Sequence, residues 1–280
     1  MKPARCVILR LFLPLAINQM SERIIAIIPA RLGSVRFPGK PLAPLLGRPM
    51  IEHVFWRTSM CVEVAEVYVA TCDEEIKEAV AQFGGSVIMT SPVHERASDR
   101  VAEAAERIPA DIVVMVQGDE PMVTPEMISA AVAPMLSDRS IECVNLAHRI
   151  TNRDEYLHPN TIKVVMNAAN EALYFSRAPI PAIDNAHLDL VPVFKQVCVI
   201  PFRREFLLEF AQLAPTPLEQ AESIDMLRVI EHGRRVRMVP VEIETQAVDS
   251  PADLSFVAAS MKHDPLILKY GERVARAEAR

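Results

Sequence analysis

Neither of the two common nucleotide fingerprints occurs in this 280-residue chain. Without G-x-x-x-x-G-K-[ST] or G-x-G-x-x-G, neither a P-loop ATPase nor a dinucleotide enzyme is indicated. Excess positive charge is also missing: the formal net charge is −6 and the pI is near 5.7. That argues against nucleic acid as the main partner, because a phosphate backbone needs a strongly basic face. The five cysteines, Cys6, Cys61, Cys72, Cys143 and Cys198, form no C-x-x-C pair. No zinc site or redox centre is therefore suggested, and a reducing cytoplasm is the expected location. Cys143 and Cys198 lie in apolar, strand-like runs and read as core residues. No apolar run approaches the ~18 residues of a membrane span. The first nineteen residues superficially match a signal peptide, yet Arg10 and Pro14 interrupt the apolar stretch and no small-residue cleavage site follows. Residues 1–20 are expected to lie outside the fold, with translation starting at Met20, and an intact Met1 in the mass spectrum of the native protein would refute this. Internal repeats and low-complexity linkers are absent.

Half of the residues are hydrophobic, enough for one large core with or without a smaller subdomain. The most informative stretch is Ile24 to Leu45, IIAIIPARLGSVRFPGKPLAPL. Its apolar start fits a parallel strand covered on both faces, ended by Pro29. Arg31, Gly33, Ser34, Arg36, Gly39 and Lys40 follow. Glycines let a backbone approach a ligand, while two guanidiniums and an ammonium neutralise clustered negative charge. A triphosphate fits that description, although by composition alone the loop could be an ordinary basic surface loop.

Apolar runs near 24–29, 67–71, 86–90 and 111–117 alternate with helix-like segments, which predicts βαβ units around a mostly parallel sheet. Asp73 is able to cap a helix that buries Ile76, Val80 and Phe83 and stops at Gly84 and Gly85. Ser98 opens another helix to about Arg107. Strand-like runs at 141–150, 162–167, 171–177 and 193–202 imply antiparallel pairing. A helix from Leu218 to His232 is expected to end at Gly233, and the tail after Lys262 to be a helical or frayed surface end.

Ile112 to Val116 lead directly into Gln117, Gly118, Asp119 and Glu120, placing polar groups at a strand's carboxyl end, where open α/β sheets bind ligands. Asp119 is a hard oxygen donor suited to magnesium, or else a turn aspartate before a helix capped at Thr124. Asp249, ahead of Ser250, Pro251 and Asp253, looks by itself like part of a helix cap. Nothing in the spacing brings it beside Asp119.

The loop A-R-x-G-S-x-R-F-P-G-K-P-L resembles that of the sugar cytidylyltransferases, specifically the CMP-Kdo synthetases (3-deoxy-manno-octulosonate cytidylyltransferases). Similar segments recur in family order at VYVATCD (67–73), VQGDEPM (116–122), ALYFSRAPIP (172–181), 217–228 and VDSPADL (248–254). The resemblance implies an α/β fold with a mostly parallel central sheet flanked by helices, of the Rossmann-like nucleotidyltransferase kind. A cytidylyltransferase domain over 21–262 would contain a β-rich lid and dimerisation subdomain at 141–202, with 263–280 as a tail. It further implies a cytoplasmic homodimer that uses Mg2+, CTP and an ulosonic acid, with no nucleic acid or membrane as partner. The anomeric hydroxyl of the sugar would attack the α-phosphate of CTP and release pyrophosphate, with no protein nucleophile.

By the same resemblance, Arg31, Lys40, Asp119 and Asp249 would be catalytic, Asp119 and Asp249 as magnesium ligands. Arg31, Gly33, Ser34, Arg36, Lys40, Thr71, Ser98 and Gln117 would bind nucleotide, Thr71 and Gln117 being the candidates for reading cytosine. Arg177 would clamp the ulosonate carboxylate, as a bidentate donor suits, its bland alternative being a strand-end surface arginine. Gln196 and Asp225 would face the sugar. The chain departs from the family pattern at several of these places. Arg96, Ala97 and Ser98 stand for Ser, Gly and Thr; Gln196 and Ile200 for His and Tyr; Asp225 and Met226 for Glu and Gln. The changes at 96–98 touch the nucleotide side, whereas those at 196, 200, 225 and 226 suit a modified or different nonulosonic acid as an alternative acceptor, and a non-catalytic nucleotide-binding regulator is the reading from another class. The bland alternative for Asp225 is a merely solvated helical face shared with Glu222 at i,i+3 spacing, and His94 is as readily an exposed loop histidine as a functional one.

Overall fold

The computed structural model of the chain describes residues 22–34, 36–183, 191–243 and 245–278, with side chains placed through residue 271. The expected extension over 1–20 lies outside the described residues. The first half runs β1 (Ile24–Pro29), β2 (Pro44–Leu45), β3 (Arg48–Pro49), α1 (Met50–Thr58), β4 (Val64–Thr71), α2 (Glu74–Gln82), β5 (Ser86–Met89), α3 (Ala97–Glu106), β6 (Ile112–Val116) and α4 (Pro125–Ser137). Then follow β7 (Val144–Arg149), α5 (Arg153–Leu157), β8 (Lys163–Met166), β9 (Ala172–Ser176), β10 (Phe194–Val197), β11 (Val199–Arg203), α6 (Arg204–Phe210), α7 (Pro217–Glu222), α8 (Met226–Glu231), β12 (Arg237–Val241), α9 (Pro251–Met261) and α10 (Pro265–Glu278). Among the described residues, no helix is long and apolar enough to cross a membrane.

The first sheet has the order β11-β6-β1-β4-β5, with β6, β1, β4 and β5 parallel and β11 antiparallel at the edge. Every residue of β1 and of β6 is buried, because the sheet is covered on both faces. Ile24, Ala26 and Ile28 pack with Val54, Ile76 and Met127, whereas Ile25 and Ile27 pack with Val101, Ala105 and Phe206. Since β1 and β6 are parallel neighbours, the loops leaving their carboxyl ends emerge side by side.

The second sheet, β12-β7-β10-β8-β9, is mixed: its pairs are antiparallel except β7 with β12. One expectation is corrected here, and one strand is added. The run 193–202 is not one strand, for it divides at Cys198 into β10 in the second sheet and β11 in the first. And β12, which the sequence reading did not place, completes the second sheet. Its Pro240 argues against a strand in the sequence, and an edge position is where a proline is tolerated.

The helix expected over 218–232 is also two helices. Ser223 takes a left-handed conformation (φ 56°, ψ 51°) between α7 and α8, which folds α8 back along α7. Arg228 then reaches Glu219 at 2.6 and 2.8 Å, while the Glu231 carboxylate accepts from the Leu218 and Glu219 amides at 3.1 and 3.2 Å. Partners for the first turn of α7 thus offset the strain at Ser223. Asp73 does stand at the start of α2, but its side chain makes no cap hydrogen bond; it accepts from the Leu32 amide at 2.8 Å instead.

The segment after residue 262 is helical (α10), one of the two expected forms, and it is anchored to the core at one residue. Tyr270 of α10 is fully buried against His53 of α1. The Leu45 carbonyl can only accept, so His53 Nε2–H donates to it (2.7 Å) and Nδ1 accepts from the Tyr270 hydroxyl (2.6 Å). Burial, then the Arg57 and Arg48 charges, outweigh the Leu45 hydrogen bond and bring the His53 pKa down to about 4. An unfolded histidine takes up its proton below about 6.5, whereas the folded one resists until about pH 4. The stability due to this site is therefore present above pH 6.5 and is lost as pH falls through that window. Urea unfolding at pH 7 and 4.5 should show the gap between wild type and His53→Gln shrinking by about 2–3 kcal/mol on acidification. A gap constant with pH would contradict the neutral, buried imidazole.

Candidate functional site

Gly118 lets the two loops meet. A Cβ there would lie 2.9 Å from the Pro29 carbonyl oxygen, so only glycine allows the chain leaving β6 to pass against the end of β1. Asp119 follows directly. On the other loop Gly39, at φ 71°, turns the chain so that Lys40 points back across the gap. Lys40 Nζ donates to Asp119 Oδ2 at 2.7 Å and to the Val248 carbonyl at 2.8 Å, with Asp249 Oδ1 at 3.6 Å. Two carboxylates from distant parts of the chain thus converge on one ammonium.

The approach of Asp249 is built by the segment ahead of α9. The Val248 amide donates to the Asp119 carbonyl at 2.9 Å. Four residues before Asp249, the Thr245 hydroxyl donates to Glu120 Oε2 at 2.8 Å, and Lys195 Nζ donates to the Thr245 carbonyl at 3.0 Å. Ser250 and Asp253 form the capping box of α9. The Asp249 carboxylate is left outside that cap and pairs with Arg36 at 3.0 Å. The sequence pattern of a helix start was right, and its capping acid is Asp253.

Two adjoining cavities of about 380 and 370 Å3 open here, both bordered by Arg31, Arg36, Arg96, Gln117 and Asp119. One extends over Gly33, Ser34 and Lys40, the other toward Arg177, Gln196 and Asp225. Arg31 is exposed and makes no hydrogen bond or ion pair among the described residues. Ser34 Oγ accepts from the Phe37 amide at 3.3 Å. The Arg177 guanidinium donates to the carbonyls of Glu222, Pro159 and Ser223, so it belongs to the cavity wall rather than to an open strand end. Gln196 Nε2 donates to Asn145 at 2.6 Å.

Thr71 and Ser98 are not brought to either cavity. Both are fully buried. The Thr71 hydroxyl accepts from the Asp73 amide at 3.1 Å, and the Ser98 hydroxyl donates to Asp225 Oδ2 at 2.7 Å. Their polar groups are spent on the fold. Asp225 does not share a solvated face with Glu222, because the break at Ser223 separates them. It is turned inward, and burial, partly offset by Ser98 and Arg96, raises its pKa. His94 is not a free loop histidine either: it pairs with Glu103 at 2.5 Å.

Sequence reasoning passed over Glu120 and Lys195 as site residues. Burial, with the Asp119 charge next, pushes the Glu120 carboxyl up to about 7. Adjacency to Asp119 was the one signal available for it. Lys195 forms an ion pair with Glu155, and its place directly before Gln196 could have marked it. Burial raises the Cys198 thiol well above the usual range, which removes it as a nucleophile.

The family described as cytidylyltransferase matches residues 25–237. The chain is 48% identical to the 3-deoxy-manno-octulosonate cytidylyltransferase of Geobacter metallireducens over 248 residues, covering 85% of this chain and 98% of that protein. With the enzyme of the same name from Solibacter usitatus, identity is 40% over 243 residues, 87% of this chain and 96% of the other. Among solved structures, CMP:2-keto-3-deoxy-manno-octonic acid synthetase complexed with CTP superposes with a TM-score of 0.80 at 41% identity, covering 86% of this chain and 99% of that one. 4-Diphosphocytidyl-2C-methyl-D-erythritol synthase from Anaerococcus prevotii, at 15% identity and a TM-score of 0.59 over 87% of this chain and 97% of its own, shares the fold.

Proposed function

The chain belongs to the 3-deoxy-manno-octulosonate cytidylyltransferase family, and on that footing we propose how its residues divide the work. The enzyme transfers CMP from CTP to 3-deoxy-manno-octulosonate (Kdo) with release of pyrophosphate. The observation that carries the residue assignment is the Lys40 ammonium held between Asp119 and Asp249 at the junction of two cavities. In this reading CTP lies over Gly33, Ser34 and Gln117. Arg31, Arg36 and Lys40 neutralise its phosphates, Lys40 following the charge that builds on the departing pyrophosphate. Arg177, with Gln196 and Asp225 beyond it, orients the sugar acid so that its anomeric hydroxyl faces the α-phosphate.

Asp119 and Asp249 would hold Mg2+. They are hard oxygen donors already gathered around one cation, and among the described residues no group of three or more His, Cys, Asp or Glu is assembled. Two protein carboxylates suit an ion that takes its other ligands from phosphate and water. When bound, Mg2+ neutralises and orients phosphate oxygens. A cytoplasmic homodimer supplying activated sugar for lipopolysaccharide completes the proposal. The described cysteines are all unpaired, and edge strand β9 offers the exposed Leu173 as a dimer contact.

The test is pyrophosphate release from each of the four nucleoside triphosphates with a panel of ulosonic acids, with Mg2+ or with EDTA. The expected result is release from CTP with Kdo and Mg2+ only. Release with another acid alone would move the acceptor, and CTP binding without release would make the protein a regulator.

A further inference from the structure

Lys163, on β8, is fully buried and has no carboxylate partner within ion-pair distance among the described residues. Its ammonium donates instead to three backbone carbonyls, those of His158 (3.0 Å), Thr161 (2.7 Å) and Arg177 (2.6 Å). An ammonium has three N–H donors and each finds an acceptor, which is what makes so deep a charge tolerable. His158, Thr161 and Arg177 all line the acceptor-end cavity. Between His158 and Thr161 lie Pro159, whose carbonyl accepts from Arg177, and Asn160, whose side chain accepts from Arg36. Arg177 is itself fixed on its far side by Glu222 and Ser223.

Resting on the function proposed above, we propose that Lys163 is a positioning residue for the acceptor: its buried ammonium ties the 158–161 turn to Arg177 and so holds the Arg177 guanidinium where the sugar carboxylate docks. Lys163 touches no substrate. Arg36 keeps its pair with Asp249 if the turn loosens, so the acceptor end suffers more than the CTP end.

A pH dependence follows from the donor count. The groups around Lys163 are Arg177 and Glu222 beyond β9, the His158 ring on the turn and Lys195 opposite on β10, the last neutralised by Glu155. Burial and then Arg177 bring the ammonium down to about 8, Glu222 opposing them. Above that pH the neutral amine has two hydrogens for three carbonyls, and the clamp loosens.

The experiment measures KM for Kdo and for CTP from pH 6.5 to 9.5 on wild type and Lys163→Met. Wild type should show KM for Kdo rising at least about fivefold above pH 8, with KM for CTP within about twofold. Lys163→Met should start with that KM raised about tenfold and show no alkaline rise. For a readout that does not depend on the variant folding, 13Cε-lysine NMR follows the Lys163 titration in wild type with and without CTP plus Kdo under EDTA. Linkage requires the ligands to raise its midpoint. A flat KM for Kdo, or a midpoint unmoved by ligands, overturns the proposal. Absence of any turnover of CTP and Kdo by wild type would instead overturn the reading on which it rests.

Discussion

Replacing Lys40 by Ala should lower kcat by about 10^3 while leaving the protein folded. The ammonium has 13% of its side-chain surface exposed and sits 2.7 Å from Asp119 and 3.6 Å from Asp249. In an enclosed site such a charge stabilises developing phosphate charge far more than it would in water. Its pairs with partly exposed carboxylates contribute only about 1 kcal/mol to folding. The variant takes the shared ammonium away from Asp119 and Asp249, leaving Asp249 only its pair with the more exposed Arg36. Its melting temperature should therefore fall slightly without Mg2+ and rise on Mg2+ addition by more than that of wild type. Thermal melts against MgCl2, beside single-turnover rates, check both halves. Near-normal turnover would end the assignment. A variant that gains no extra stability from Mg2+ would show that the two acids do not share one cation position.

The fold was legible where burial leaves a periodic trace. The apolar runs of β1 and β6 are strands covered on both faces, and Ile76, Val80 and Phe83 mark the buried side of α2. What stayed hidden was set by partners distant in sequence. Ser223 interrupts an otherwise continuous helical pattern because Arg228 and Glu231 have partners on α7. β10 and β11 read as one strand because nothing in 193–202 records that Cys198 lies where the chain crosses between sheets.

The site divides in the same way. The loop residues Arg31, Arg36 and Lys40 and the strand-end Asp119 were readable from their order. Thr71 and Ser98 have suitable hydroxyls in suitable motifs, but local capacity to bond does not say which partner wins, and Asp73 and Asp225 take them. Lys163 looks from sequence like a polar residue in a half-buried strand. Only the meeting of three carbonyls shows why a lysine stands there.

Asp119→Asn and Asp249→Asn should each lower kcat/KM by about 10^3, and the double variant should fall little further, because groups that act as one unit are non-additive. Each substitution spares the scaffold for a specific reason. At position 119 the contact that docks the segment before α9 is made by the backbone carbonyl, accepting from the Val248 amide at 2.9 Å. At position 249 the cap of α9 is built from Ser250 and Asp253. Circular dichroism and melting temperature should accordingly stay near wild type in both single variants. Mg2+ binding, followed by calorimetry in the presence of CTP, should be lost in each single variant, since an ion holding few protein ligands cannot spare one of two. Losses that multiply to about 10^6 in the double variant would instead mean that the two carboxylates act independently. Their convergence on the Lys40 ammonium would then be an arrangement of the fold alone.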